Sequence, residues 1–188
     1  MGNTEISTLG VPNNLTSRIS ICLQRVGNVT GINRGLTTVS RLFREIGVTP
    51  IWTKPGSCPA DGIRVSLTRD TPESFHPGAL GYAHPFSTQV EVFVDRIEEN
   101  TPSVVPHLLG YVIAHEITHI IEGTDRHSDR GVMKAHWDGR DLSQMQWDRL
   151  RFAQEDVDLI FLGISKRTQA AGSPANAASH TEAVTGTR

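Results

Sequence analysis

The chain has 188 residues, 37% of them hydrophobic and 20% charged, with 18 Lys and Arg against 20 Asp and Glu. That balance leaves no cationic excess to neutralise a phosphate backbone, which excludes general nucleic-acid binding, and Cys22 and Cys58 are too few for a disulfide scaffold or a four-thiolate metal site. At about 150 residues per domain the length fits one domain and a remainder, and no apolar run is long enough for a signal peptide or a membrane span.

The ends read differently from the middle. From Ser165 onward the sequence has no aromatic residue, no Leu, Ile or Met, and a single Val, so it cannot bury enough apolar surface to offset the entropy of ordering it. The reading is a flexible N-terminus over 1–16, one domain over 17–164 and a disordered tail over 165–188. Within the domain, Arg18 to Val26 alternates Ile19, Ile21 and Leu23 with Ser20, Cys22 and Gln24, the period of a half-buried strand. Cys22 and Cys58 either form one bridge or remain two free thiols. Gly31 to Ile46 places Leu36, Val39, Leu42, Phe43 and Ile46 at helical spacing, stopped by Gly47. Short strands are expected at Thr49–Thr53, Ile63–Arg69, Leu80–Ala83 and Gln89–Val94, separated by Pro- and Gly-rich turns.

Next comes the most informative segment. From Ser103 or Val104 to Glu122, apolar residues fill more than one helical face, which predicts a central, buried helix closed by Gly123. A last helix is expected over roughly Leu142–Leu162, with Asp141 as its N-cap. The fold class is therefore α/β (α+β): a small twisted mixed sheet, one helix packed on it, a central helix and a C-terminal helix.

The central helix carries His115-Glu116-Ile117-Thr118-His119, an H-E-x-x-H sequence. Residues i and i+4 share a helical face, so both imidazoles can reach one metal ion, and the intervening carboxylate lies one step round, beside the ion's open side. Zinc held by two or three protein ligands retains a position for water, and Glu116 is placed to take that water's proton and deliver it to a leaving amine. A third ligand is needed. The helix can end at Gly123, the chain can reverse, and His127 can return to the metal.

This arrangement resembles the metzincin clan of zinc peptidases, whose pattern is H-E-x-x-H-x-x-G-x-x-H followed by a Met-containing turn. Met133, in Gly131-Val132-Met133, is similar to that Met-turn residue, and the resemblance gives it a supporting role beneath the metal. The spacing departs from the standard, which would put Gly at 122 and the third ligand at 125. Here Glu122 and Asp125 stand there, and Gly123 and His127 follow one and two places later, a spacing similar to that of short bacterial metzincin-like proteins. His127 is the expected third ligand and Asp125 the alternative, ahead of Glu122 and Glu155.

The resemblance implies one catalytic Zn²⁺ and peptide-bond hydrolysis. The Gly78–Pro85 stretch is similar to the edge strand of matrixins, which implies a peptide or protein substrate bound in extended form. A monomer in contact with neither nucleic acid nor membrane is expected; the compartment is not legible. The alternative reading is a non-catalytic zinc-binding or peptide-binding domain of the same fold. Among secondary candidates, His136 and Trp137 could wall the substrate pocket, His76 and His84 could bind a second metal, and Glu91, Asp95, Glu98 and Glu99 could bind calcium. For each of these, ordinary packing or a solvated face is the simpler reading. A domain of this size is expected to have a shallow cleft.

Overall fold

The computed structural model describes residues 17–24, 29–54, 56–84, 87–100 and 105–171. The expected flexible segment 1–16 lies outside them. Strand β1 (Ser17–Gln24) buries Ile19 and Ile21, as its alternation requires, and helix α1 (Ile32–Glu45) buries Val39, Leu42 and Phe43. Strands β2 (Val48–Thr53), β3 (Ile63–Thr68), β4 (Gly81–Ala83) and β5 (Gln89–Phe93) follow. The sheet order is β2-β1-β3-β5-β4. All pairings are parallel except the last, in which β4 runs antiparallel to β5 with Gly81 opposite Val92 and Ala83 opposite Val90. The sheet is mixed, as expected, with its one antiparallel strand at the edge. Cys22 and Cys58 are bonded, their Cα atoms 5.7 Å apart, which settles the alternative the sequence left open. The bond pins the loop after β2 to β1.

A short helix, α2 (Val94–Asn100), follows β5 directly and was not expected. It begins where the strand period breaks: Val92, Phe93 and Val94 are all buried in succession, and Ile97 continues the buried set at helical spacing. Helix α3 (Val105–Glu122) is the core of the molecule, buried along almost its whole length and packed against α1, β4 and β5. Where α1 crosses it, a Cβ on Gly110 would lie 2.6 Å from the Gly35 carbonyl oxygen, so the two backbones meet with no room for a side chain.

The C-terminal third corrects the sequence reading twice. The single helix expected over Leu142–Leu162 is two: α4 (Gly139–Gln146) and α5 (Gln154–Ala171). Leu150 and Phe152 are both buried although only two residues apart, an extended-chain spacing that no single helix face satisfies. Asp138, not Asp141, caps α4. Its side chain accepts from the Arg140 and Asp141 N–H groups, while the Asp141 carboxylate receives the Asp138 N–H to complete a capping box. Helix α5 also runs seven residues past 164, so 165–171 are helical where a disordered tail was expected, and the rest of that tail, 172–188, lies outside the described residues. Lys, Arg, Gln and Ala are strong helix formers that need no apolar partner to continue a helix already docked through Ile160 and Ile164. Among the described residues no helix is long and apolar enough to cross a membrane.

Candidate metal centre

Helix α3 places His115 and His119 one turn apart on its cleft-facing side. The Nδ1 atom of His115 lies 2.8 Å from the Val132 carbonyl oxygen, and that of His119 lies 2.9 Å from the Thr124 carbonyl oxygen. A carbonyl only accepts, so in the neutral rings both Nδ1 atoms carry the hydrogen and both Nε2 atoms present lone pairs. Those two Nε2 atoms face each other at 3.0 Å. Two lone pairs at that distance repel unless a cation lies against both. His127 closes the set: its ring stacks on that of His115 at 5.2 Å and meets that of His119 edge-on at 4.9 Å. Ligand atoms of the three side chains all lie within 4.8 Å of one another, the one such cluster among the described residues. Three neutral imidazoles, two of them with tautomers fixed by a carbonyl, suit a borderline-soft divalent ion, zinc above all.

Burial favours the same state. Desolvation lowers the His115 pKa from 6.5 to about 3 and that of His119 to about 4, and shifts His127 in the same direction. Each imidazole is therefore held in its metal-binding, uncharged form.

The loop after α3 does what the sequence required of it. Gly123 adopts φ +68°, the left-handed conformation that ends a helix, and its N–H donates to the His119 carbonyl. The chain then reverses and returns His127. Asp125 lines the same cleft but stands outside the cluster of three, exposed, acting on His119 and His127 only through its charge. Glu122 does not join it either: both its oxygens are buried without a hydrogen bond, 3.8 Å from the Arg126 guanidinium, and desolvation raises its pKa to about 7. Glu155 lies on α5 with Arg130 as its neighbour. Met133 is fully buried in the core, and its carbonyl accepts the Ser128 N–H at 2.8 Å. Trp137 lies edge-on to the His115 ring at 5.4 Å and donates through Nε1 to the Gly131 carbonyl.

Glu116 is buried beneath β4. A Cβ on Gly81 would come within 2.8 Å of Glu116 Cγ and 3.0 Å of Oε1, so the edge strand approaches the carboxylate closely only because residue 81 has no side chain. Desolvation pushes the Glu116 carboxyl up to about 8, against a backbone hydrogen bond from Ala83 that acts the other way. A cation beside the carboxylate would restore its charged form.

The cleft between β4 and the strip after Met133 has a volume of about 1090 Å³. The long connection before β4 and the 134–142 segment build its two walls, over a floor that includes Leu108, Val112 and Ile120. His136 is exposed on the rim. The second-metal candidates do not converge: His76 Nδ1 accepts the Gly78 N–H, while His84 faces Glu91 at 3.4 Å. The acidic residues are likewise dispersed, Asp95 accepting from Thr71 and Glu98 pairing with Arg69.

No family model and no curated protein matches the sequence. Among solved structures the chain is similar to the crystal structure of archaemetzincin from Methanopyrus kandleri, with a TM-score of 0.54 and 17% sequence identity over 79% of this chain and 97% of that one. The chain has that protein's fold. The likeness spans nearly the whole of the archaemetzincin chain.

Sequence reasoning missed the residues that hold the metal-centre loop: Arg126, Ser128 and Asp156. Asp156 is fully buried, yet in the sequence it stands in Gln154-Glu155-Asp156, an acidic helix start with nothing to mark one carboxylate as different.

Proposed function

We propose that this chain is a zinc-dependent metallopeptidase of metzincin type in which His115, His119 and His127 hold one Zn²⁺ and Glu116 is the general base. The observation that carries this reading is the pair of Nε2 lone pairs facing at 3.0 Å, with a third imidazole against both rings and a buried carboxylate one residue away on the same helix. The fold it shares with archaemetzincin supports the same reading.

Zinc bound there supplies Lewis acidity towards a substrate carbonyl and a water molecule. The protein's own residues do the rest. The Glu116 carboxylate accepts a proton from the attacking water and passes it to the nitrogen of the departing amine. The outer edge of β4, with no strand beside it among the described residues, offers backbone N–H and C=O groups to a peptide lying extended along the cleft. Trp137 holds the His115 ring from the side, and Met133 supports the turn that supplies the Val132 carbonyl.

Metal analysis and one substitution test this reading. Purified protein is expected to take up about one zinc per chain, and Glu116→Gln is expected to keep it while peptide-library cleavage falls by about 10²–10⁴-fold. Protein that takes up no zinc overturns the metal assignment. Wild type and variant that bind zinc and are equally inert overturn the peptidase assignment and leave a zinc- or peptide-binding domain.

A further inference from the structure

The three histidines are not held alike. His115 and His119 each have a carbonyl at Nδ1. The His127 ring has no such partner among the described residues and is exposed, so beyond its contacts with the other two rings its position comes from the backbone on either side of it. Both of its neighbours are tied to one group. The Arg126 Nη2 donates to Asp156 Oδ1 at 2.6 Å, and the Ser128 hydroxyl donates to the same oxygen. Arg126 Nη1 also donates to Ser128 Oγ at 3.0 Å, closing a triangle, and Asp156 Oδ2 takes the Ala153 N–H at 3.2 Å.

We infer that Asp156, on α5, is the positioning residue for His127: it clamps the residues before and after the third ligand and so fixes where that imidazole stands. The inference rests on the zinc reading above. Its physical basis is the length of the loop. Seven residues separate His119 from His127, two more than in the standard metzincin spacing, and each added residue brings backbone freedom that must be removed before a ligand is preorganised. The loop is pinned at Thr124 by His119 and at Ser128 by the Met133 carbonyl. The side chains of the two residues flanking the ligand converge on Asp156 of α5. A buried carboxylate accepting a guanidinium and a hydroxyl makes strong, charge-assisted bonds with defined directions.

The test is a double-mutant cycle read by zinc affinity, measured by competition with a chelator, and by the visible spectrum of the cobalt(II)-substituted protein. Asp156→Asn in the full chain is expected to weaken zinc about 10–100-fold, the usual cost of losing the group that orients a ligand, and to change the cobalt bands. In a His127→Ala background the same substitution is expected to change zinc affinity by less than about twofold, because the group it positions is gone. A residue that matters only for folding would weaken zinc equally in both backgrounds, and that result overturns the inference. If Asp156→Asn does not fold, Ser128→Ala removes one arm of the clamp and serves in the same cycle with a smaller expected loss. Wild type that binds zinc alongside variants of unchanged affinity and spectrum refutes the positioning role alone. Wild type that binds no zinc refutes both this inference and the metal assignment.

Discussion

Helix α3 and the loop that follows it contribute to one site in opposite ways. The helix presents His115, Glu116 and His119 from a buried segment of regular backbone, so their spacing in the sequence sets which face they share. The loop presents His127 from irregular chain, and its geometry comes from contacts with Met133 in the turn that follows and with Asp156, distant in sequence on α5. A ligand on a regular element is written into the local sequence. A ligand on a loop is written into whatever the loop touches.

The sharpest way to break this contrast is at the ligands themselves. His127→Ala is expected to weaken zinc by at least about 100-fold, whereas Asp125→Ala, at a residue in the cleft but outside the histidine cluster, is expected to change it by less than about threefold. Chelator competition on the two proteins decides between them, and the opposite ranking would put the third ligand at Asp125.

Next in size is the approach of β4 to the helix. Gly81→Ala places a methyl group within 2.8 Å of Glu116 Cγ. The carboxylate must shift, and peptidase activity is expected to drop by about tenfold or more while zinc affinity stays within about twofold. Loss of zinc in this variant would mean that β4 supports the ligands and not only the base.

A third expectation concerns pH in zinc-free protein. The Glu116 pKa is raised from 4.5 to about 8, so the folded state holds its proton where the unfolded chain has lost it, and stability falls as pH rises from about 4.5 through 8. The His115 pKa is lowered from 6.5 to about 3, so stability falls as pH drops from 6.5 towards 3. Glu116→Gln removes only the first effect. Urea unfolding in the presence of a chelator is expected to find the variant more stable than wild type at pH 8, by about 1 kcal/mol or more, and equal to it near pH 4.5. Equal stability at pH 8 would show that Glu116 is not desolvated in the zinc-free state.

The smallest effect lies where helix gives way to loop. Gly123 sits at φ +68° with nothing within 4 Å of where a Cβ would stand, so Gly123→Ala has only the left-handed backbone against it and is expected to lower stability by about 1 kcal/mol. A larger loss, seen as a thermal shift, would point to strain passed along the loop to Thr124 and its bond to His119.

The pattern of what could be read in advance follows the same division. The alternations of β1, β3 and β5, the helical stripe of α1 and the apolar fill of α3 are local periodicities imposed by burial on regular backbone, and each appears where its period predicts. The C-terminal third departed because Leu150 and Phe152 are buried from an extended turn, which a search for helical spacing absorbs into one long helix. Asp156 could not be told from Glu155 because both are acidic residues at a helix start, and only one of them faces the loop that carries His127.

By itself the sequence determined the fold class and the H-E-x-x-H face of α3, because both depend on repeats of a few residues along one chain. It also put His127 first among the candidates for a third ligand, ahead of Asp125, Glu122 and Glu155, because a helix stop at Gly123 lets the chain reverse. Tertiary structure decided the rest. It placed His127 rather than Asp125 or Glu122 against the other two imidazoles, joined Cys22 to Cys58, and turned one carboxylate of α5 into the anchor of a loop some thirty residues away. Those outcomes depend on which distant segments pack together, and packing is a property of the whole core.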